Sequence, residues 1–144
     1  MTAPRVERIA FKDGYKYQLV ESYVVDIHLT GVTAITRWLE LTSDGVLTIR
    51  EGYAWDGPSG PACDTPNFMR GSLVHDACYQ LLREGLLPPA CRDHADRLLR
   101  DMCREDGMSA IRAWWVYQGV ARFAGPAARH DHEKPVRYAP SQGD

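Results

Sequence analysis

Residues 66–84 decide the fold, and they read PNFMRGSLVHDACYQLLRE. Pro66 and Asn67 suit the first turn of a helix, and Gly85 follows them as a stop signal. Between these ends, apolar side chains recur at helical spacing: Phe68, Leu73, Val74, Ala77, Cys78, Leu81 and Leu82. The stretch therefore predicts an amphipathic helix, and an ionisable pair, His75 and Asp76, flanks its apolar stripe.

Two more helices are predicted downstream. The second begins near Pro88 and Pro89 and ends at Gly107, and its inward positions are Ala95, Leu98, Leu99, Met102 and Cys103. The third runs from Ser109 to about residue 124, through Ile111, Trp114, Trp115, Val116, Val120 and Phe123. One of the two adjacent tryptophans must point away from the core, where it would serve as an interface anchor.

The first third of the chain predicts strands. Residues 15–28 are rich in β-branched and aromatic side chains, and residues 34–55 read as a hairpin with its turn at Ser43-Asp44-Gly45. We therefore expect an α+β fold, in which a small antiparallel N-terminal sheet precedes a three-helix part carrying the HDxxY helix. A single domain is predicted over residues 1–128, followed by a polar C-terminal tail over 129–144.

The composition narrows the class of protein. The chain has 144 residues and a net charge of -2, so it offers no basic field for nucleic acid. It shows neither a signal-peptide pattern nor a transmembrane run, so we expect synthesis in the cytoplasm, with exit by lysis or within a larger particle. Free thiols are expected at Cys63, Cys78, Cys91 and Cys103, because no signal-peptide pattern is present, and the missing CxxC pairs argue against structural zinc.

Four ionisable residues form the candidate site. Asp56 opens DGPSGPACDTPN (56–67), a loop that its prolines and glycines keep out of regular structure. His75 and Asp76 lie on the first predicted helix. Asp96 shares a face of the second helix with Leu99 and Cys103, so it should point inward towards His75.

This set of residues indicates ester hydrolysis without a covalent intermediate. His75 would take a proton from water, and Asp96 would orient its ring. Asp56 and Asp76, with backbone carbonyls of the loop, would form an all-oxygen calcium site that polarises the ester carbonyl.

The same residues resemble a family of small bacterial and phage proteins, domain-of-unknown-function family 1353. The resemblance covers roughly residues 15–125. It rests on a D-G-x-S-x-P loop, an H-D-x-x-Y helix and a later A-D pair, which here are Asp56, Gly57, Ser59, Pro61, His75, Asp76, Tyr79, Ala95 and Asp96. The resemblance implies a location among the proteins of a phage virion or tail, where the chain could form oligomers.

A more distant resemblance is to the prokaryotic secreted phospholipase A2. It implies that Asp56, Asp76 and carbonyls near Gly57 hold calcium, that His75 is the base and that Asp96 orients it. Apart from this resemblance, Tyr79 is a further candidate catalytic residue, whose hydroxyl is expected to reach a carboxylate. The chain departs from that family in the hairpin before the loop and in lacking its signal peptide and disulfide pattern.

Other interpretations stay open. His75 and Asp76 could form a buried polar network that clamps the helix to the loop, which suits a non-catalytic virion component. Asp56 could be an Asp-Gly turn residue, and Asp96 a charge favoured by the helix dipole. A zinc-dependent hydrolase is a third interpretation. The partners expected are other virion proteins or a lipid of the bacterial envelope.

Overall fold

The computed structural model describes residues 9, 11–12, 17–55 and 66–123, which fall into two compact units. The described strands belong to the first unit, and the three described helices belong to the second. The chain is therefore α+β, as predicted. The predicted boundary at residue 128 and the tail at 129–144 lie outside the described residues, as does the loop of residues 56–65.

The strands of the described residues form two antiparallel sheets. Their bounds are β1 (Phe11–Lys12), β2 (Tyr17–Leu19), β3 (Tyr23–Asp26), β4 (Ala34–Ile35), β5 (Leu39–Leu41), β6 (Val46–Ile49) and β7 (Ala54–Trp55). One sheet has the order β1-β2-β7, and the other has the order β3-β6-β5-β4. Alternate residues of β5 and β6 are buried, as expected for a sheet that covers a core on one face.

The predicted turn at Ser43-Asp44-Gly45 joins β5 to β6. Gly45 has a φ of +92°, which an L side chain rarely adopts, and its backbone N–H donates to the Thr42 carbonyl at 3.0 Å. A side chain at Gly45 would also meet the backbone nitrogen of Leu29 at 3.1 Å. The glycine thus fixes the hairpin register.

The stretch predicted as one strand-rich run at 15–28 is divided between the two sheets. The backbone N–H of Leu19 donates to the Tyr53 carbonyl at 2.8 Å, whereas Tyr23 is paired with Ile49. A bend between them lets the two halves pair with different strands. Alternation in the sequence cannot reveal such a change of partner, because both halves keep the same period of two.

A second difference concerns the run from Ile35 to Leu41. It folds back on itself, so that β4 and β5 are antiparallel neighbours with Ala34 opposite Leu41. Thr36 makes the reversal: its hydroxyl oxygen accepts the Leu39 backbone N–H at 3.0 Å. Ile35 consequently lies on the outer face and is 73% exposed.

The three helices lie where the sequence predicts them. They are α1 (Pro66–Arg83), α2 (Cys91–Glu105) and α3 (Ala110–Phe123). Gly85 and Gly107, with φ values of +73° and +100°, follow the ends of α1 and α2. Among the described residues, no helix is long and apolar enough to cross a membrane.

The helix α1 is buried around nearly its whole circumference, including polar Arg70, Ser72, His75 and Gln80. It pairs antiparallel with α2, since Arg70 bonds Asp106 while His75 bonds Asp96. A further apolar cluster joins α2 to α3 through Leu99, Cys103, Met108 and Ala113, with Phe68, Val116 and Val120 packed against it. These contacts hold the three helices as one unit.

Gly71 allows the close approach of α1 and α2. A Cβ there would lie 3.0 Å from Leu99 Cδ1 and 3.3 Å from Cys103 Sγ and from the Leu99 carbonyl oxygen. We expect Gly71→Val to lower the free energy of unfolding by about 1–3 kcal/mol through overpacking. Gly119→Ala on α3, where a Cβ meets nothing within 4 Å, should raise it by about 0.5–1 kcal/mol. Urea unfolding measures both, and equal effects at the two glycines would contradict this account of the α1–α2 contact.

Candidate active site

The candidate site lies between α1 and α2. His75 and Tyr79 are four residues apart on α1, so their side chains share one face of that helix. Asp96 comes from α2 and is only 1% exposed, beside the equally buried Ala95 and Leu99. The inward orientation predicted for Asp96 is confirmed.

One oxygen of the Asp96 carboxylate is hydrogen-bonded to both of these α1 side chains. Asp96 Oδ1 lies 2.8 Å from His75 Nε2 and accepts the Tyr79 hydroxyl at 2.6 Å. The two rings lie against each other, with centroids 4.2 Å apart. Because a carboxylate only accepts, we assign the shared proton to Nε2, which leaves Nδ1 as the acceptor nitrogen of the neutral ring.

The Tyr79 hydroxyl acts as a hydrogen-bond donor to Asp96. Burial and the hydrogen bond to Asp96 raise the pKa of its hydroxyl well above the ordinary value of 10.0, although Arg92 acts in the opposite direction. The phenol therefore stays protonated at neutral pH. Its hydrogen bond to Asp96 partly replaces the hydrogen bonds with water that a buried carboxylate loses.

Arg92 links this network to the third helix. Its Nε donates to the Tyr79 hydroxyl at 3.4 Å, and its Nη2 donates to the backbone carbonyls of Val120 and Ala121. Those carbonyls belong to the last turn of α3, where a cation is favoured by the helix dipole. Nearby, Tyr117 of α3 donates to Asp93 of α2 at 2.7 Å, so α3 is fixed at two points.

The predicted metal ligands are only partly described. Asp56 and Gly57 lie outside the described residues, so the calcium site stays a prediction. Asp76 is half-buried on α1 beside His75, whereas Asp96 is almost fully buried. Across residues 17–55 and 66–123, no three His, Cys, Asp or Glu side chains are grouped so as to hold a metal, and the zinc interpretation gains no support there.

Two of the three described cysteines are buried. Cys78, Cys91 and Cys103 are free thiols, and Cys63 lies outside the described residues. Burial raises the pKa of Cys78 and of Cys103 to about 12. Both thiols are therefore protonated at neutral pH, which leaves them unreactive.

Sequence reasoning missed two arginines. Arg70 is 4% exposed and holds Asp106 through Nε at 2.9 Å and Nη2 at 2.9 Å, with Glu105 at 3.4 Å. Arg92 holds Tyr79, as described above. A signal existed for Arg70, since it falls inside the apolar region of α1 and must find an anion there. Nothing local distinguishes Arg92 from the other arginines of α2.

A family profile described as "Protein of unknown function (DUF1353)" matches residues 34–120, which is more than half of the chain. The match includes His75, Asp76, Tyr79 and Asp96 and extends from β4 almost to the end of α3. The comparisons with curated proteins and with solved structures gave no match. The chain belongs to the DUF1353 family.

Proposed function

We propose that this protein is a calcium-dependent hydrolase of carboxylic esters, similar to phospholipase A2 and acting on lipid of a bacterial envelope. One observation carries the proposal: His75 Nε2 and the Tyr79 hydroxyl converge on the buried Asp96 Oδ1, at 2.8 and 2.6 Å. A carboxylate that fixes one ring nitrogen leaves the other nitrogen to act as a general base.

In the proposed reaction, His75 Nδ1 takes a proton from a water molecule as its oxygen attacks the ester carbonyl carbon. The imidazolium that forms is stabilised by Asp96, whose orientation Tyr79 maintains. When the tetrahedral intermediate collapses, the carbon–oxygen bond to the leaving group breaks, and His75 returns the proton to the leaving alcohol. Water is consumed, and a carboxylic acid and an alcohol are released.

Calcium fits the residues that the sequence assigns to it. Asp76 supplies a hard oxygen donor next to His75, and its partial exposure suits an ion that keeps some of its water. Asp56 and the Gly57 carbonyl are the proposed remaining protein ligands. When bound, calcium would polarise the ester carbonyl and stabilise the oxyanion.

Calcium dependence gives the direct test. Fatty acid release from phospholipid mixed micelles should require calcium and stop when the ion is chelated with EGTA. Calorimetry should detect saturable calcium binding that Asp76→Asn abolishes. Asp101→Asn is the matched control, because that carboxylate is 58% exposed and pairs with its neighbour Arg100. A wild-type protein that neither binds calcium nor releases fatty acid would refute the proposal.

A second candidate is a non-catalytic component of a phage tail or baseplate. The observation that favours it is the number of polar ties within the helical unit: Arg70 pairs with Asp106, His75 pairs with Asp96, and Arg92 joins the Tyr79 hydroxyl to backbone carbonyls of α3. In that case the protein should be found in purified particles. Substitutions in the network should then lower stability, with no activity to lose.

A further inference from the structure

The outer face of α3 carries an exposed apolar patch, defined by Ile111, Trp114 and Trp115. These side chains are 74%, 49% and 64% exposed, and the two indoles meet edge-to-face with centroids 4.9 Å apart. The sequence required at least one of the two tryptophans to point outward, and both of them do. The opposite face of α3 already packs on α2 through Ala113, Val116 and Val120. A contiguous exposed patch of this kind marks a contact surface.

The polar groups around the patch are mainly hydrogen-bond donors. At about 100° per residue, Gln118 and Arg122 fall on the same side of α3 as the patch. Indole and guanidinium groups donate and do not accept, and Gln118 supplies the one side-chain acceptor among them. The helix, AIRAWWVYQGVARF, contains no carboxylate. The surface therefore suits a partner whose outer layer is anionic and rich in hydrogen-bond acceptors, and whose interior beneath that layer is apolar.

We propose that this face of α3 docks on an anionic lipid surface. Tryptophan favours the boundary between lipid headgroups and acyl chains, where the ring is buried and the indole N–H stays hydrogen-bonded. Ile111 would enter the acyl region, and Arg122 would pair with lipid phosphate. In a symmetric contact with a second copy of the chain, Arg122 would instead face another α3, which carries no carboxylate. Charge complementarity therefore does not favour a second copy as the partner.

The choice of a lipid rests on the proposed ester hydrolase, although docking itself requires no hydrolysis. Arg92 connects the two features, because it bonds both the Tyr79 hydroxyl and the carbonyls of the last turn of α3. A docked α3 would thereby be tied to the candidate active site through a single side chain.

Vesicle flotation with the full chain tests the docking surface. The wild type should bind vesicles of phosphatidylcholine with phosphatidylglycerol more tightly than phosphatidylcholine alone. Trp114→Ser with Trp115→Ser should reduce the partition coefficient by at least about tenfold. Arg122→Gln should reduce it about fivefold on anionic vesicles alone. Ile35→Ser is the matched control, since it removes a 73% exposed apolar side chain from β4 and should change nothing.

Intrinsic fluorescence gives a second readout. Trp38 and Trp55 are buried, so a blue shift and quenching by brominated lipid would come from α3. Far-ultraviolet circular dichroism ensures that each variant is folded before it is compared. Absent vesicle binding, or a dimer in sedimentation that the tryptophan substitutions dissociate, would overturn the docking proposal. Vesicle binding without ester hydrolysis would instead leave the surface standing and count against the hydrolase.

Discussion

Replacing His75 with alanine is expected to lower the rate of calcium-dependent ester hydrolysis by about 10²–10⁴-fold, the usual contribution of a general base. The side chain supplies the nitrogen that activates water, and its Nε2 lies 2.8 Å from Oδ1 of the buried Asp96. The measurement is the initial rate of fatty acid release at saturating calcium. His28→Asn is the control, because that imidazole is 73% exposed in the strand unit.

The substitution Asp96→Asn distinguishes a catalytic role of Asp96 from a purely structural one. The amide keeps the shape of the carboxylate, and its oxygen can still accept both the Tyr79 hydroxyl and His75 Nε2, but it carries no negative charge. The histidine would then lose the charge that stabilises the imidazolium, so a large loss of rate should accompany a small loss of stability. Full activity in His75→Ala or in Asp96→Asn would exclude the mechanism.

The second large effect is expected near the N-terminal end of α1, where Arg70 pairs with Asp106. Asp106→Ala should lower the free energy of unfolding by about 3 kcal/mol, because it removes the bidentate partner of a guanidinium that is 4% exposed. We take the lower end of the usual range because Asp106 is 20% exposed and Glu105 remains 3.4 Å away. Urea unfolding followed by circular dichroism measures the change.

A double-substitution test makes this assignment specific. Arg70→Met with Asp106→Ala removes the buried charge together with its partner, so it should recover most of the loss seen with Asp106→Ala alone. Asp101→Ala, which breaks an exposed pair with its neighbour Arg100, should change stability by less than about 1 kcal/mol. Equal losses in Asp106→Ala and Asp101→Ala would show that the buried pair does not hold α1 to α2.

The sheet regions show where sequence reasoning fails. The turn at Gly45 was predictable because an Asp-Gly pair specifies its own backbone conformation. The partners of β2 and β3 were not, because their pairing joins residues far apart in the chain, such as Tyr23 with Ile49. The reversal at Thr36 rests on its side-chain hydroxyl, which alternation of apolar residues does not register.

The amino-acid sequence by itself determined the three helices, the Asp-Gly hairpin and the order of the candidate residues, because helix periodicity, glycine stops and turn chemistry act over a few neighbouring residues. Only the tertiary structure decided that His75 and Tyr79 share one oxygen of Asp96, that Arg70 and Arg92 tie the helices together, and that Trp114 and Trp115 both remain exposed. Those outcomes depend on which helix face a neighbour covers. Burial and ionic pairing between distant residues set that choice, and no local pattern in the chain encodes it.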